Sequence, residues 1–163
     1  MPSPQPSLKG RALRLLSTRE HSRAELERKL KPHEPQPGAL AVALDELQAK
    51  GYIDEQRVLE SLIHRRSAKL GVARIKQELQ SKGLDSAAVQ RAVASLQASE
   101  LARAVEVWRK KFGGLAAAAG STGVLDSAER GRQMRFLASR GFSGDTIRRV
   151  LSGGRDDDDP MPD

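Results

Sequence analysis

Cysteine is absent from the 163 residues, and aromatic residues are scarce: Tyr52, Trp108, Phe112, Phe136 and Phe142 are the whole complement. Without cysteine there is no disulfide, no thiolate-held zinc or iron–sulfur cluster and no thiol nucleophile, a usage that fits a reducing compartment. Long apolar runs are missing too, the longest being residues 39–44, far short of the roughly 20 residues that cross a bilayer. The Pro/Ser-rich start, residues 1–7, has neither the basic nor the apolar region of a signal peptide. The expectation is a soluble, cytoplasmic protein with no membrane association.

Catalytic and metal-binding patterns are equally lacking. His21, His33 and His64 have no ligand spacing between them, and there is no Gly-rich phosphate loop, nucleophile elbow or paired His/carboxylate motif. The aspartates at 156–159 could attract divalent cations weakly, but a solvated tail is the default reading of such a run. No enzyme, no cofactor and no metal is expected.

What the chain has is charge and helical periodicity. It carries 28 Lys plus Arg against 21 Asp plus Glu, but five of the acids lie in the last eight residues, leaving the body at 28 against 16, a formal +12. That excess leans toward the C-terminal side: +6 for residues 99–155 against +3 for each of 1–53 and 54–98. An excess this large points to an anionic partner, the bland alternative for each residue being a solvated helix face.

Helical spacing of apolar residues dominates from Leu8 to Leu151 without strand-like alternation, so the fold class is all-α. One phrase is used three times: Leu47-Gln-Ala-Lys-Gly51-Tyr52, Leu79-Gln-Ser-Lys-Gly83-Leu84 and Leu137-Ala-Ser-Arg-Gly141-Phe142. A glycine just past a helix takes the left-handed conformation that closes the last turn, and the cation before it suits the helix dipole. Three helices therefore end at these glycines. Asp54, Asp85 and Ser143 (or Asp145) are the N-cap candidates beyond them.

Short helices over 54–69, 71–82 and 85–96 form the clearest unit, and the same unit is traced on both sides of it. Ser22-Arg-Ala-Glu25 reads as a capping box and Asp126-Ser-Ala-Glu129 resembles one. The predicted organisation is nine helices in three groups, three tandem three-helix repeats over 8–53, 54–98 and 99–151. Disordered ends are expected at 1–7 and at the acidic tail, 152–163. In the first repeat the prolines between Lys31 and Gly38 force a longer extended turn. In the third, Gly/Ala-rich residues 113–125 read as an inserted loop, although the four alanines could prolong a helix locally.

Trp108 and Phe112 could stack bases, but they share a stripe with Leu101 and Val105 and read as core. The helix pairs around Gly83 and Gly141 also permit a second reading, a stand-alone helix-turn-helix-like nucleic-acid-binding protein.

With these phrases in place, the chain resembles the RecX family, the small bacterial regulators of the RecA recombinase. The most specific segment is Gly51-Tyr-Ile-Asp54-Glu55-Gln-Arg57, followed by Ser61, Arg65 or Arg66, Gly71-Val-Ala-Arg74-Ile75, Glu78-Leu79 and Lys82-Gly83. Arg19-Glu20-His21-Ser22-Arg23 with Glu25-Leu26 resembles the family's first repeat, and Arg135-Phe136-Leu137 with Arg140-Gly141-Phe142 its last. Val58-Leu59 stands where the family usually has Phe-Ala, and the Gly/Ala stretch is atypical.

The resemblance implies that the three repeats form an elongated, curved module without a catalytic centre, a protein modulator that binds RecA or its nucleoprotein filament; a monomer is expected. It would suppress filament growth, ATP hydrolysis and strand exchange, and so modulate recombination, DNA repair and the SOS response. Weak non-specific DNA binding is compatible with it. Being basic and off the apolar stripes, Arg65, Arg66, Lys69, Arg74, Lys76, Arg132, Arg135, Arg148 and Arg149 form the candidate surface for partner or phosphate.

Overall fold

The computed structural model describes residues 1, 4–118 and 126–153. Among them are nine α-helices and no strand: α1 (Leu8–Thr18), α2 (Arg23–Leu30), α3 (Ala39–Ala49), α4 (Glu55–Arg66), α5 (Val72–Ser81), α6 (Ser86–Gln97), α7 (Glu100–Ala118), α8 (Ser127–Ser139) and α9 (Gly144–Leu151). Beyond residue 153 the expected acidic tail lies outside the described residues, as do residues 119–125 of the expected insertion.

The helix ends follow the chemistry of their flanking residues. Gly51, Gly83 and Gly141 all have positive φ, at 79°, 68° and 87°. After α3 the Tyr52 amide donates to the Leu47 carbonyl at 2.9 Å and the Gly51 amide to Gln48 at 3.0 Å. After α8 the Phe142 amide reaches Leu137 at 3.3 Å and the Gly141 amide reaches Ala138 at 3.0 Å. These paired bonds satisfy carbonyls that a helix end leaves free. Asp54 and Asp85 accept from the amides of Arg57 and Ala88, and Ser7, Ser22 and Ser143 cap α1, α2 and α9 in the same way.

Three local expectations are corrected. The Asp126 side chain makes no capping hydrogen bond, and the Glu129 carboxylate accepts from Arg132 and the Gln133 amide instead of from the residue 126 backbone, so neither half of a capping box forms at the start of α8. Helix α7 runs through Gly113 and Gly114 to Ala118, so over residues 113–118 the loop reading gives way to the alternative of a prolonged helix. Each glycine costs a helix only about 1 kcal/mol relative to alanine. The proline-rich connection is not simply extended: Lys31–His33 forms a 3-10 turn, and Glu34 accepts from the amides of Gly38 at 3.0 Å and Leu40 at 3.1 Å, closing the start of α3.

The chain divides into two compact units, residues 1–64 with 78–89 and residues 65–77 with 90–163. In the first, α1, α2 and α3 pack pairwise around Ala12, Leu26, Leu40, Leu44, Leu47 and Ile53. In the second, α7, α8 and α9 pack around Ala104, Leu137, Phe142, Ile147 and Val150. There Phe112 meets Phe136 edge to face with centroids 5.3 Å apart, and the Trp108 indole N–H donates to Gln133 Oε1 at 2.8 Å. Both residues of the expected stripe therefore work in the core. Burying each large side chain contributes on the order of 1.5–3 kcal/mol.

One interlocking device occurs in each unit. In the first, Ser22 and Glu25 form the expected capping box at the start of α2. Residues from much further along the chain add to it: Ser22 Oγ donates to the Lys82 carbonyl at 2.5 Å, and the Arg23 amide donates to Glu55 Oε1 at 3.1 Å. In the second unit the free amides at the start of α5 are taken up likewise. Gly71 donates to the Arg140 carbonyl at 2.8 Å, Ala73 to Gly141 at 3.3 Å, and Val72 to Glu100 Oε1 at 2.9 Å.

The positions correspond. Arg23 and Val72 each open their helix, Glu55 and Glu100 each open the first helix of a later group, and Lys82 and Arg140 each precede a turn glycine. Two partial charges of opposite sign meet at each junction, since a helix C-terminus presents carbonyls and an N-terminus presents amides. The buried Glu100 is also approached by the hydroxyls of Ser143 at 3.1 Å and Thr146 at 2.8 Å.

Candidate interaction surface

All nine residues of the sequence-derived surface fall in the second unit, and all nine side chains are exposed. Their surroundings differ. Arg132 and Arg148 are each paired on their own helix, with Glu129 and Asp145 three residues away. Arg65 and Arg66 are engaged within the protein as well. Lys76, Arg135 and Arg149 stand on α5, α8 and α9 without an ion pair to a described residue.

Lys69 and Arg74 flank the docked turn. The Gly71 amide, two residues after Lys69, holds the Arg140 carbonyl, and the Arg74 backbone is pressed against Gly141, where an added Cβ would meet the Arg74 amide nitrogen at 2.7 Å. The interlock thus draws two cations of α5 and its approach to the cationic end of α8.

Beside this junction lies a cleft of about 390 Å³, lined by Ala68, Lys69, Val107, Lys110, Lys111, Phe136 and Arg140. Four of its seven lining residues are cations and none is acidic. Lys111 Nζ stands 5.9 Å and Arg140 Cζ 5.1 Å from the centroid of the Phe136 ring, so the aromatic floor holds both cations in place. Lys69 and Lys110 form no ion pair with a described residue. Four like charges around one concavity raise the local potential for anions.

Of these four, only Lys69 belongs to the sequence-derived set. Arg140 reads from sequence as a helix-end cation, and Lys110-Lys111 as part of a general basic run. The usable signal was their adjacency to Phe112 on the apolar stripe: residues beside a buried position stand at the edge of the packed face. Arg103 shows the opposite case, a cation consumed by the fold. Its guanidinium donates to the carbonyls of Ser67 at 2.9 Å and Leu70 at 2.6 Å, and burial lowers its pKa against the raising effect of Glu100.

Among the described residues no cluster of His, Asp and Glu could hold a metal ion, and no helix is long and apolar enough to cross a membrane.

Tandem three-helix units, one of them bearing a basic exposed face, define an all-α helical-repeat protein. Comparison with known families makes the class specific: the first three-helix domain of RecX matches residues 9–47, the second residues 54–93 and the third residues 98–151. The chain belongs to the RecX family. It is 51% identical to the regulatory protein RecX of Leptothrix cholodnii over 91% of this chain and 89% of that one. It is 43% identical to the regulatory protein RecX of Ralstonia nicotianae over 95% of each. The crystal structure of RecX from Lactobacillus salivarius shares the fold, with a TM-score of 0.70 at 20% identity over 90% of this chain and 94% of that chain.

Proposed function

We propose that this protein is a regulator that binds RecA or RecA–DNA filaments and restrains filament growth, ATP hydrolysis and strand exchange, thereby modulating recombination and repair. The observation that carries the reading is the tandem presence of all three RecX three-helix domains in one chain, with relatives above 40% identity over nearly its whole length. The basic surface of the second unit supplies a physical basis: a filament offers acidic protein patches and strand phosphates, and complementary charge speeds and orients docking.

The contact surface is assigned to Lys69, Arg74, Lys76, Arg135 and Arg149, with Arg65, Arg66, Arg132 and Arg148 around them and the cleft cations Lys110, Lys111 and Arg140 added. The test is RecA ATPase and strand exchange on single-stranded DNA with substoichiometric protein. Inhibition is expected; its absence at every ratio would overturn the proposal. Measuring duplex binding against salt separates the helix-turn-helix reading, which requires tight binding to DNA alone with a steep salt slope.

A further inference from the structure

The cleft formed by Lys69, Lys110, Lys111 and Arg140 has a matching sequence within the same chain. Residues 156–159 are four consecutive aspartates, and Met161 follows between two prolines. Four cations ring the cleft, and Val107 and Phe136 give it an apolar floor. An acidic run with one apolar side chain close behind it complements both features, Met being a good partner for an aromatic ring edge.

The position of the tail also suits the site. Leu151, at the end of α9, packs on the same apolar cluster that includes Val107 and Phe136. Asp156 lies three residues beyond Gly153 and Met161 eight, a span of roughly 10 to 28 Å for extended chain at ~3.5 Å per residue. Tethers this short give effective concentrations in the mM range, so even an affinity of ~1 mM fills the cleft about half the time.

A second basic concavity, on the first unit, is a poorer host. It measures about 220 Å³ between Arg11, Arg14, Lys29 and His33, and two of its cations are already used. Arg11 is held by Gln5 and the Pro6 carbonyl, while Lys29 faces His21 Nε2. A single-stranded nucleic acid is also less well served by the larger cleft, because Lys111 and Arg140 already stand over the Phe136 ring on which a base would stack.

We propose that the C-terminal segment 156–161 is an intramolecular ligand of the Lys69/Lys110/Lys111/Arg140 cleft, competing there with acidic or phosphate-bearing partners. The inference stands independently of which partner the protein regulates. Any anionic partner using the cleft must displace the tail, so its apparent affinity falls by one plus the ratio of effective concentration to tail dissociation constant. For the values above that is about twofold, rising to about tenfold if the tail binds at ~0.1 mM.

The experiment compares NMR spectra of the full chain, the full-length variant D156N/D157N/D158N/D159N and a chain ending at Arg155. The expected result is shift differences centred on Lys69, Lys110, Lys111, Phe136 and Arg140. They should be the same for both altered chains and fade as salt rises from about 0.05 to about 0.5 M. A synthetic peptide of residues 155–163 should restore the native shifts in the shortened chain and bind the full chain at least about twofold more weakly. K110E/K111E should abolish peptide binding. Coincident spectra for the full chain and the Asn variant would overturn the proposal, as would peptide binding indifferent to K110E/K111E. If a single-stranded oligonucleotide shifts these residues while tail removal does not, the cleft is a nucleic-acid site and the tail is not its ligand.

Discussion

The amide of Gly71 donates to the carbonyl of Arg140 across 2.8 Å, joining the start of one helix to the end of another 69 residues later. The approach leaves no room for a side chain: a Cβ on Gly71 would stand 2.2 Å from the Gly141 carbonyl oxygen and 2.3 Å from the Phe142 nitrogen. Both obstacles are backbone, so relief requires the helices themselves to part.

A ranking of glycine substitutions follows. Gly51→Ala meets open space and carries only the left-handed penalty, about 1–2 kcal/mol. Gly71→Ala has no such penalty but must open the junction, and Gly141→Ala combines a φ of 87° with an added Cβ 2.5 Å from Arg74 Cβ. Both should cost about 3 kcal/mol or more, from overpacking together with weakened amide bonds. Urea midpoints rank the three; Gly51→Ala emerging as the most destabilising would refute the tight junction.

The corresponding junction in the first unit is electrostatic. Glu25 is buried and accepts from Arg19 at 3.0 Å, from Lys82 at 2.8 Å and from the Ser22 amide at 2.9 Å. Burial pushes its carboxyl up, but these hydrogen bonds prevail and hold its pKa at about 2, below the ordinary 4.5. The unfolded chain therefore binds the proton more readily, and the stability contributed by Glu25 is fully present above about pH 4.5 and lost as the pH falls toward 2. Glu25→Gln should cost about 1.5–3 kcal/mol at neutral pH and flatten the fall in stability between pH 4.5 and 2. Denaturant titrations across that range test it, and an unchanged acid slope would refute the assignment.

The fold was legible where local chemistry decides it. The three glycine phrases and the Ser22–Glu25 box announce helix ends because their hydrogen bonds close within a few residues. The same logic failed at Asp126-Ser-Ala-Glu129, where Glu129 had Gln133 and Arg132 as alternative neighbours one turn on. Contacts over long separations were not legible: nothing local to Glu100 announces that it caps Val72, or that Arg140 leans over Phe136 beside Lys69. Basic composition marked out an exposed basic face, yet it could not separate Arg103, spent on internal carbonyls, from Lys110, left at a cleft edge.

His21 provides a pH dependence at milder values. It is 1% exposed, its Nδ1 lies 3.0 Å from the Arg19 carbonyl and its Nε2 faces Lys29 Nζ at 3.4 Å. The neutral ring thus donates from Nδ1 and accepts at Nε2. Burial lowers its pKa below 6.5; the carbonyl bond opposes this, and the charges of Arg19 and Lys29 reinforce it. Because the unfolded chain takes up the proton first, stability is lost as the pH falls below about 6.5. His21→Gln should be less stable at pH 7.5 and show a smaller loss between pH 7 and 5. Parallel slopes for the two proteins would assign the dependence elsewhere.

The proposed contact surface is tested by separating charge from fold. Lys69 and Lys110 are exposed, line one cleft and form no ion pair with a described residue, so reversing both removes no known native contact. Surface changes of this kind alter stability by about 0.5 kcal/mol or less each, which keeps the melting temperature within a few degrees. If the cleft meets an acidic or phosphate-bearing partner, the Lys69→Glu/Lys110→Glu protein should inhibit RecA ATPase about tenfold less well at low salt, equivalent to about 1.4 kcal/mol of lost interaction. The deficit should come mainly from slower association and shrink as salt screens the exposed charges. Full inhibition by this variant, with unchanged salt dependence, would move the contact surface away from the cleft and leave Arg74, Lys76, Arg135 and Arg149 to carry it.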